Sequence, residues 1–296
     1  MNEYLPIIGA DPEAFIWDPK KEEIISAKGI VPGTKKRPKK VSGGAVQVDG
    51  IMAEYNINPA QTSEEFVHNN ETVKKELTKI IKNKASHLEL MFFHTVRFSP
   101  KHFKTFSKEE LEVGCVPDFE VNRHNLAKPI QKAITYPENY RFAGGHIHIG
   151  NLFNKWDTTE DRLTKCSFYS MANNRHGRIT CHTMSNEKKT RLRHLCFIKG
   201  DSGIHSDNRH NYNFNMTKRA YIFSATRFRM KDYGVELRGP DNAWAETPAT
   251  AKAMFRYIFL NTLHKMQNSW AYTDTTPEMI QKASYQTPAR FLSQKV

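Results

Sequence analysis

The sequence predicts an α+β fold. Two observations carry this. Strand-like and helix-like runs are intermingled along the 296 residues without the regular βαβ alternation of a doubly wound sheet. Hydrophobic residues make up 39% and charged residues 25%, enough for a substantial core and too balanced for a disordered or fibrous chain.

In order along the chain, Tyr4 to Ile8 and Ala14 to Trp17 read as strands bracketing the short segment Gly9-Ala10-Asp11-Pro12-Glu13. An isolated Asp-Pro-Glu is most often a turn. The basic segment Lys35 to Lys40, introduced by Gly33 and broken by Pro38, reads as a loop. It is either a solvated hairpin tip or a binding element. Ala45 to Asn56 is strand-like on both sides of Asp49-Gly50, a hairpin turn signal. A helix follows over about 63 to 84. Thr62 with Glu65 fits a capping box, and Phe66, Val73, Leu77, Ile80 and Ile81 form one apolar stripe. Leu88 to Phe98 turns strand-like again, and Ser107 starts a short helix. A second long helix begins at Pro248 and carries Met254, Tyr257, Ile258, Leu260 and Leu263. Asn186 to Lys218 is polar, basic and aperiodic, and reads as long loops or a lid. No linker divides the chain, so the expectation is one domain over 1–296, with a loop-rich segment about 151–221.

Apolar runs such as Leu90 to Phe93 are too short to cross a bilayer, and the first residues lack a signal-peptide pattern. Four cysteines without a C-x-x-C pair do not make a disulfide framework. A cytoplasmic protein without membrane contact is expected. Lys and Arg outnumber Asp and Glu by 44 to 31, giving +13, which favours polyanionic partners: nucleotides, nucleic acid or a phosphorylated substrate.

The informative pattern is three ionisable pairs at spacing i, i+2: Asp11 with Glu13, His146 with His148, and Glu236 with Arg238. In an extended segment each pair projects from one face. Asp11, Glu13, Asp49, Glu54 and Glu236 offer hard oxygen ligands suited to Mg²⁺ or Mn²⁺. Arginine grips phosphate oxygens in a bidentate manner. Together these fit phosphoryl transfer. The P-loop signature and the protein-kinase glycine loop are absent. His146 and His148 could equally be half-buried strand residues or zinc ligands.

In order, these motifs resemble the phage-type carboxylate–amine ligases, a branch of the glutamine synthetase and glutamate–cysteine ligase superfamily. The matching stretches are Gly9 to Phe15, Gly33-Thr34-Lys35, Gly44 to Gly50 with Ala53 to Ile57, Gly114-Cys115 with Pro117 to Phe119, Gly144 to Gly150 and Phe228 to Arg238. Two stretches depart: about 151–221 follows the family poorly, and Ser224-Ala225-Thr226 replaces glycine-containing residues. The resemblance implies a curved, mainly antiparallel sheet of glutamine-synthetase type backed by helices. It implies ATP, two or three Mg²⁺ or Mn²⁺ ions, a carboxylate substrate and an amine substrate. Carried over by motif, Glu13 and Glu54, with Asp49, hold one ion. Asp11, His146 and Glu236 hold the ion on the ATP phosphates. His148, Arg229 and Arg238 contact phosphate or the acyl phosphate, with Lys231 and Lys35 as helpers. The substrate itself, peptide, cell-wall component or nucleic-acid-borne group, is not legible, nor is the general base. Two rivals remain: a basic nucleic-acid-binding protein without catalysis, and a zinc-dependent hydrolase using His146 and His148.

Overall fold

The computed structural model describes residues 5–93, 95–111, 119–122, 125–129, 139–173, 226–240 and 242–268. The expected lid over 186–218, three of the four cysteines and the Gly114-Cys115 motif lie outside these residues. In chain order the elements are β1 (Ile7–Asp18), β2 (Glu23–Ile25), β3 (Lys39–Val41), β4 (Gly44–Asp49), β5 (Met52–Ala60), α1 (Ser63–Lys84), β6 (Glu89–Met91) and β7 (Thr95–Arg97). There follow α2 (Pro100–Phe103), α3 (Lys108–Leu111), β8 (Phe119–Asn122), β9 (Asn125–Pro129), β10 (Tyr140–Phe142), β11 (Gly145–Gly150) and α4 (Thr159–Ala172). The last are β12 (Thr226–Lys231), β13 (Gly234–Leu237), a 3₁₀ turn at Asn242–Ala245, and α5 (Pro248–Asn268).

The class is α+β, and its main sheet runs β3-β4-β5-β1-β11-β13-β12-β8-β9, with β2 and β6 also paired to β1. All of these strand pairings are antiparallel. The one misreading that bears on the site concerns β1. It is a single strand of 12 residues, not two strands around a turn, so Asp11-Pro12-Glu13 lies mid-strand. Proline brings no N–H to a ladder. Its position suits this: Pro12 is the last β1 residue in register with β11, and beyond it the strand pairs with β2 and β6.

The β4–β5 hairpin turns one residue later than Asp49-Gly50 suggests. Asp49 pairs with Met52, so the loop residues are Gly50 and Ile51, and Gly50 takes the left-handed φ of 58° that glycine adopts without a Cβ clash. Helix α1 begins as expected, with the Thr62 side chain accepting from the Glu65 N–H at 3.1 Å. The Glu65 carboxylate reaches back to the N–H of Gln61 rather than to that of Thr62. The segment from 151 opens with a helix, α4, that the sequence reading did not anticipate. Its signal is present in Thr158 and Asp161, which form a reciprocal capping box.

Helices α1, α4 and α5 cover one face of the sheet. There Phe66, Leu77, Tyr169, Met254 and Ile258 meet Ile8, Ala10, Ile147, Val235 and Leu237 in one buried core. Burying each large side chain contributes about 1.5–3 kcal/mol. A second apolar cluster, built on Phe15, Trp17, Ile24, Phe93 and Phe98, gathers around the C-terminal end of β1. Among the described residues no helix is long and apolar enough to cross a membrane.

Candidate functional site

The strand register decides which polar side chains meet. Directly opposed residues in an antiparallel pair share a face, as do residues two apart along one strand. Gln47 opposes Glu54, and Glu54 opposes Glu13. Asp11 opposes His146. His148 opposes Glu236, which opposes Arg229. Spacing of two then adds Asp49, Lys231 and Arg238 to the same face. Ala10, Ile147, Val235 and Leu237, of opposite parity, enter the helix-covered core. One face is thus hydrophobic, and the other carries every candidate residue but Lys35.

Two groups form on that face. In the first, Glu13, Asp49 and Glu54 place one carboxylate oxygen each within 4.8 Å of the others. Glu13 accepts the Gly144 N–H at 2.7 Å, and Glu54 accepts from Gln47 Nε2 at 2.7 Å. Burial, and then the charges of Asp11, Asp49 and Glu13, push the Glu54 carboxyl well above the usual glutamate range, against the bond from Gln47. Gln47 Oε1 is buried and accepts no hydrogen bond. Lys35, expected beside phosphates, stands instead at this acidic end, its Nζ 2.7 Å from Asp49 Oδ2.

The second group is Asp11, His146 and Glu236, again with ligand atoms within 4.8 Å. Asp11 Oδ1 is 3.3 Å from His146 Nδ1 and 3.1 Å from His148 Nε2, yet it is buried without a hydrogen bond of good geometry. Arg238 Nη1 lies 3.0 Å from the same His146 Nδ1. A guanidinium can only donate, so Nδ1 accepts there and has no proton for Asp11. Nδ1 of His146 thus lies between the Arg238 guanidinium and the Asp11 carboxylate. Burial would raise the Asp11 carboxyl, but His148 foremost outweighs it and holds it far below the ordinary range. For His148, burial is outweighed by Asp11, and the ring is raised above the usual histidine value.

Glu236 is the hub of the basic side. It receives Arg238 Nη1 at 2.6 Å and Lys231 Nζ at 2.8 Å, with Arg229 Nη1 at 3.9 Å. Burial would raise its carboxyl, but Arg238 foremost, helped by the two histidines, lowers it to about 2 against the charge of Asp11. The site is therefore polarised. Carboxylates dominate beside β4 and β5, and cations dominate beside β12 and β13.

Four residues position these groups without appearing among the candidates. Gly144 leaves room for an imidazole: a Cβ there would stand 2.3 Å from His146 Nε2. Asn242 donates to the backbone carbonyls of Glu13 (2.7 Å) and Phe93 (3.1 Å), and Trp244 Nε1 donates to that of Gly145 (2.8 Å). No local pattern could reveal Asn242, because its partners lie 229 and 149 residues away. Tyr233 hydrogen-bonds His148 Nδ1 through its hydroxyl. Beyond His148 lies a cleft of about 410 Å³, lined by Ile7, Gly9, Ile57, Pro59 and Tyr233 among others.

Compared with protein-family models and with curated proteins, the chain has no match.

Proposed function

We propose that this protein is an ATP-dependent carboxylate–amine ligase that forms an amide or isopeptide bond through an acyl phosphate. The supporting observation is the polarised face: two groups able to hold divalent ions sit side by side, flanked by Arg229, Lys231 and Arg238. The donor sets are carboxylate oxygens with one imidazole, which suits Mg²⁺ or Mn²⁺ better than zinc. Glu13, Asp49 and Glu54 would hold one ion, and Asp11, His146 and Glu236 another. When bound, the ions would screen the negative charge shared by a triphosphate and an approaching carboxylate.

The chain's own side chains then have distinct tasks. Arg229, Lys231 and Arg238 present donors to phosphate oxygens, and Glu236 keeps their mutually repelling heads converged on one spot. His148, its Nε2 3.1 Å from Asp11 Oδ1, stands on the same side. The cleft beyond His148 accepts the apolar, planar part of a nucleotide. In the first step a substrate carboxylate oxygen bonds to the γ-phosphorus while the bond to the bridging oxygen breaks, releasing ADP. In the second, a neutral amine attacks the acyl carbon, inorganic phosphate leaves, and the amine proton passes to a base or to water.

A nucleic-acid-binding role without chemistry fits the +13 charge but not the acidic half of the face, which repels phosphate unless a cation neutralises it. The test is calorimetric titration of a non-hydrolysable ATP analogue with and without Mg²⁺. It is followed by ADP release with a panel of carboxylates and hydroxylamine, which traps an acyl phosphate as a hydroxamate. Mg²⁺-dependent nucleotide binding and hydroxamate formation are expected. A protein indifferent to the nucleotide in both Mg²⁺ and Mn²⁺ would refute the proposal.

A further inference from the structure

The hairpin joining β12 to β13 turns in two residues, Asp232 and Tyr233, because Lys231 pairs directly with Gly234. Gly234 pins that hairpin to β11: a Cβ there would stand 2.0 Å from the carbonyl oxygen of Ile149. The position of Tyr233 is therefore set by backbone packing rather than by its own side chain. Its residue remains 47% exposed, unusual for a large ring with a bonded hydroxyl. The hydroxyl bonds His148 Nδ1, and the two ring centroids are 5.9 Å apart at 32°. With Nδ1 engaged, the other nitrogen, Nε2, is the one directed at Asp11 Oδ1, 3.1 Å away. The same tyrosine ring lines the cleft, whose other described walls are mostly aliphatic or glycine. It thus touches the cleft with its ring and the charged face with its oxygen.

We propose that Tyr233 joins the two halves of the ligand site: its ring packs against the planar heterocycle of a bound nucleotide, and its hydroxyl fixes the His148 ring with Nε2 on Asp11. This rests on the nucleotide reading above and adds a residue with two separable contributions. The ring contributes by contact with the ligand. The hydroxyl contributes through His148, so in that respect Tyr233 is a positioning residue.

The experiment titrates two probes, the non-hydrolysable ATP analogue and inorganic tripolyphosphate, each with Mg²⁺, into wild type, Tyr233→Phe and Tyr233→Leu. Tyr233 stands at a hairpin tip, and circular dichroism with thermal melting verifies that each variant folds. Wild type is expected to prefer the nucleotide. Tyr233→Leu should weaken the nucleotide on the order of tenfold more than tripolyphosphate, the scale of one base–aromatic contact. Tyr233→Phe should keep the wild-type preference while weakening both probes alike, and should alter the His148 imidazole ¹⁵N signals. An unchanged preference in Tyr233→Leu, or a wild type without preference, overturns the role of the ring. A Tyr233→Phe protein identical to wild type on both probes and in the ¹⁵N spectrum overturns the role of the hydroxyl. A wild type that binds neither probe defeats the underlying nucleotide reading instead, and the inference with it.

Discussion

Replacing Glu54 by glutamine should stabilise the protein without metal and weaken its response to Mg²⁺. Glu54 is 6% exposed and its carboxylate lies within 4.8 Å of those of Glu13 and Asp49. At 4.8 Å and an effective dielectric constant of about 20, each like-charge pair costs about 3.5 kcal/mol. Protonation limits that cost. From the ordinary value of 4.5, keeping Glu54 neutral costs at most about 4.8 kcal/mol at pH 8 and about 0.7 kcal/mol at pH 5, at 1.36 kcal/mol per unit. Lys35 beside Asp49 offsets part of the repulsion. The sign follows from linkage. The folded carboxyl is raised, so the folded state holds the extra proton, and its stability falls as pH rises above 4.5. Glutamine removes that fall and can still accept the bond from Gln47. Urea denaturation of the metal-free proteins should therefore show Glu54→Gln more stable by about 2–4 kcal/mol at pH 8 and by less than about 1 kcal/mol at pH 5. Millimolar Mg²⁺ should stabilise wild type, more at pH 8 than at pH 5, and stabilise the variant less, through the ion held by Asp11, His146 and Glu236 alone. A variant less stable than wild type at pH 8, or a difference independent of pH, would refute the reasoning.

Three further outcomes are expected. Glu236→Gln or Arg238→Ala should cut ADP release on the order of 10²-fold or more while circular dichroism stays native, because each disperses the basic cluster; near-normal turnover in both excludes the assigned site. Gly144→Ala would place its Cβ 2.3 Å from His146 Nε2, so the imidazole must move about 1 Å, at a cost of about 1–3 kcal/mol. Urea midpoints and Mn²⁺ binding by electron paramagnetic resonance should both reveal it, and unchanged Mn²⁺ affinity would mean that His146 holds no ion. Gln47→Leu removes the donor to Glu54 and the buried Oε1, and should weaken Mg²⁺ binding roughly 10–100-fold; calorimetry showing wild-type affinity would reduce Gln47 to a packing residue.

Local chemistry was enough to read the α+β class, the β4–β5 hairpin to within one residue, the N-cap of α1 and the start of α5. It also sufficed to see that Asp11 and Glu13, His146 and His148, and Glu236 and Arg238 act as pairs, because an extended backbone repeats every two residues whatever surrounds it. Where local rules compete, the reading failed: proline statistics favoured a turn at Pro12, but pairing on both sides of β1 kept the strand continuous.

What the tertiary structure alone decided is adjacency and register. Strand β1 lies between β5 and β11, partners roughly 40 and 135 residues along the chain, and only there do Glu13 meet Glu54 and Asp11 meet His146. A slip of one residue would turn these carboxylates into the helix-packed core, at a desolvation cost no local contact offsets. The burial of Ile8, Ala10, Ile147, Val235 and Leu237 against α1, α4 and α5 thus selects the register, and the register assembles the charged face. Lys35 at the acidic end, Asn242 under Glu13 and Tyr233 over the cleft follow from that same packing, which is summed over the whole sheet and so cannot be read from any one segment.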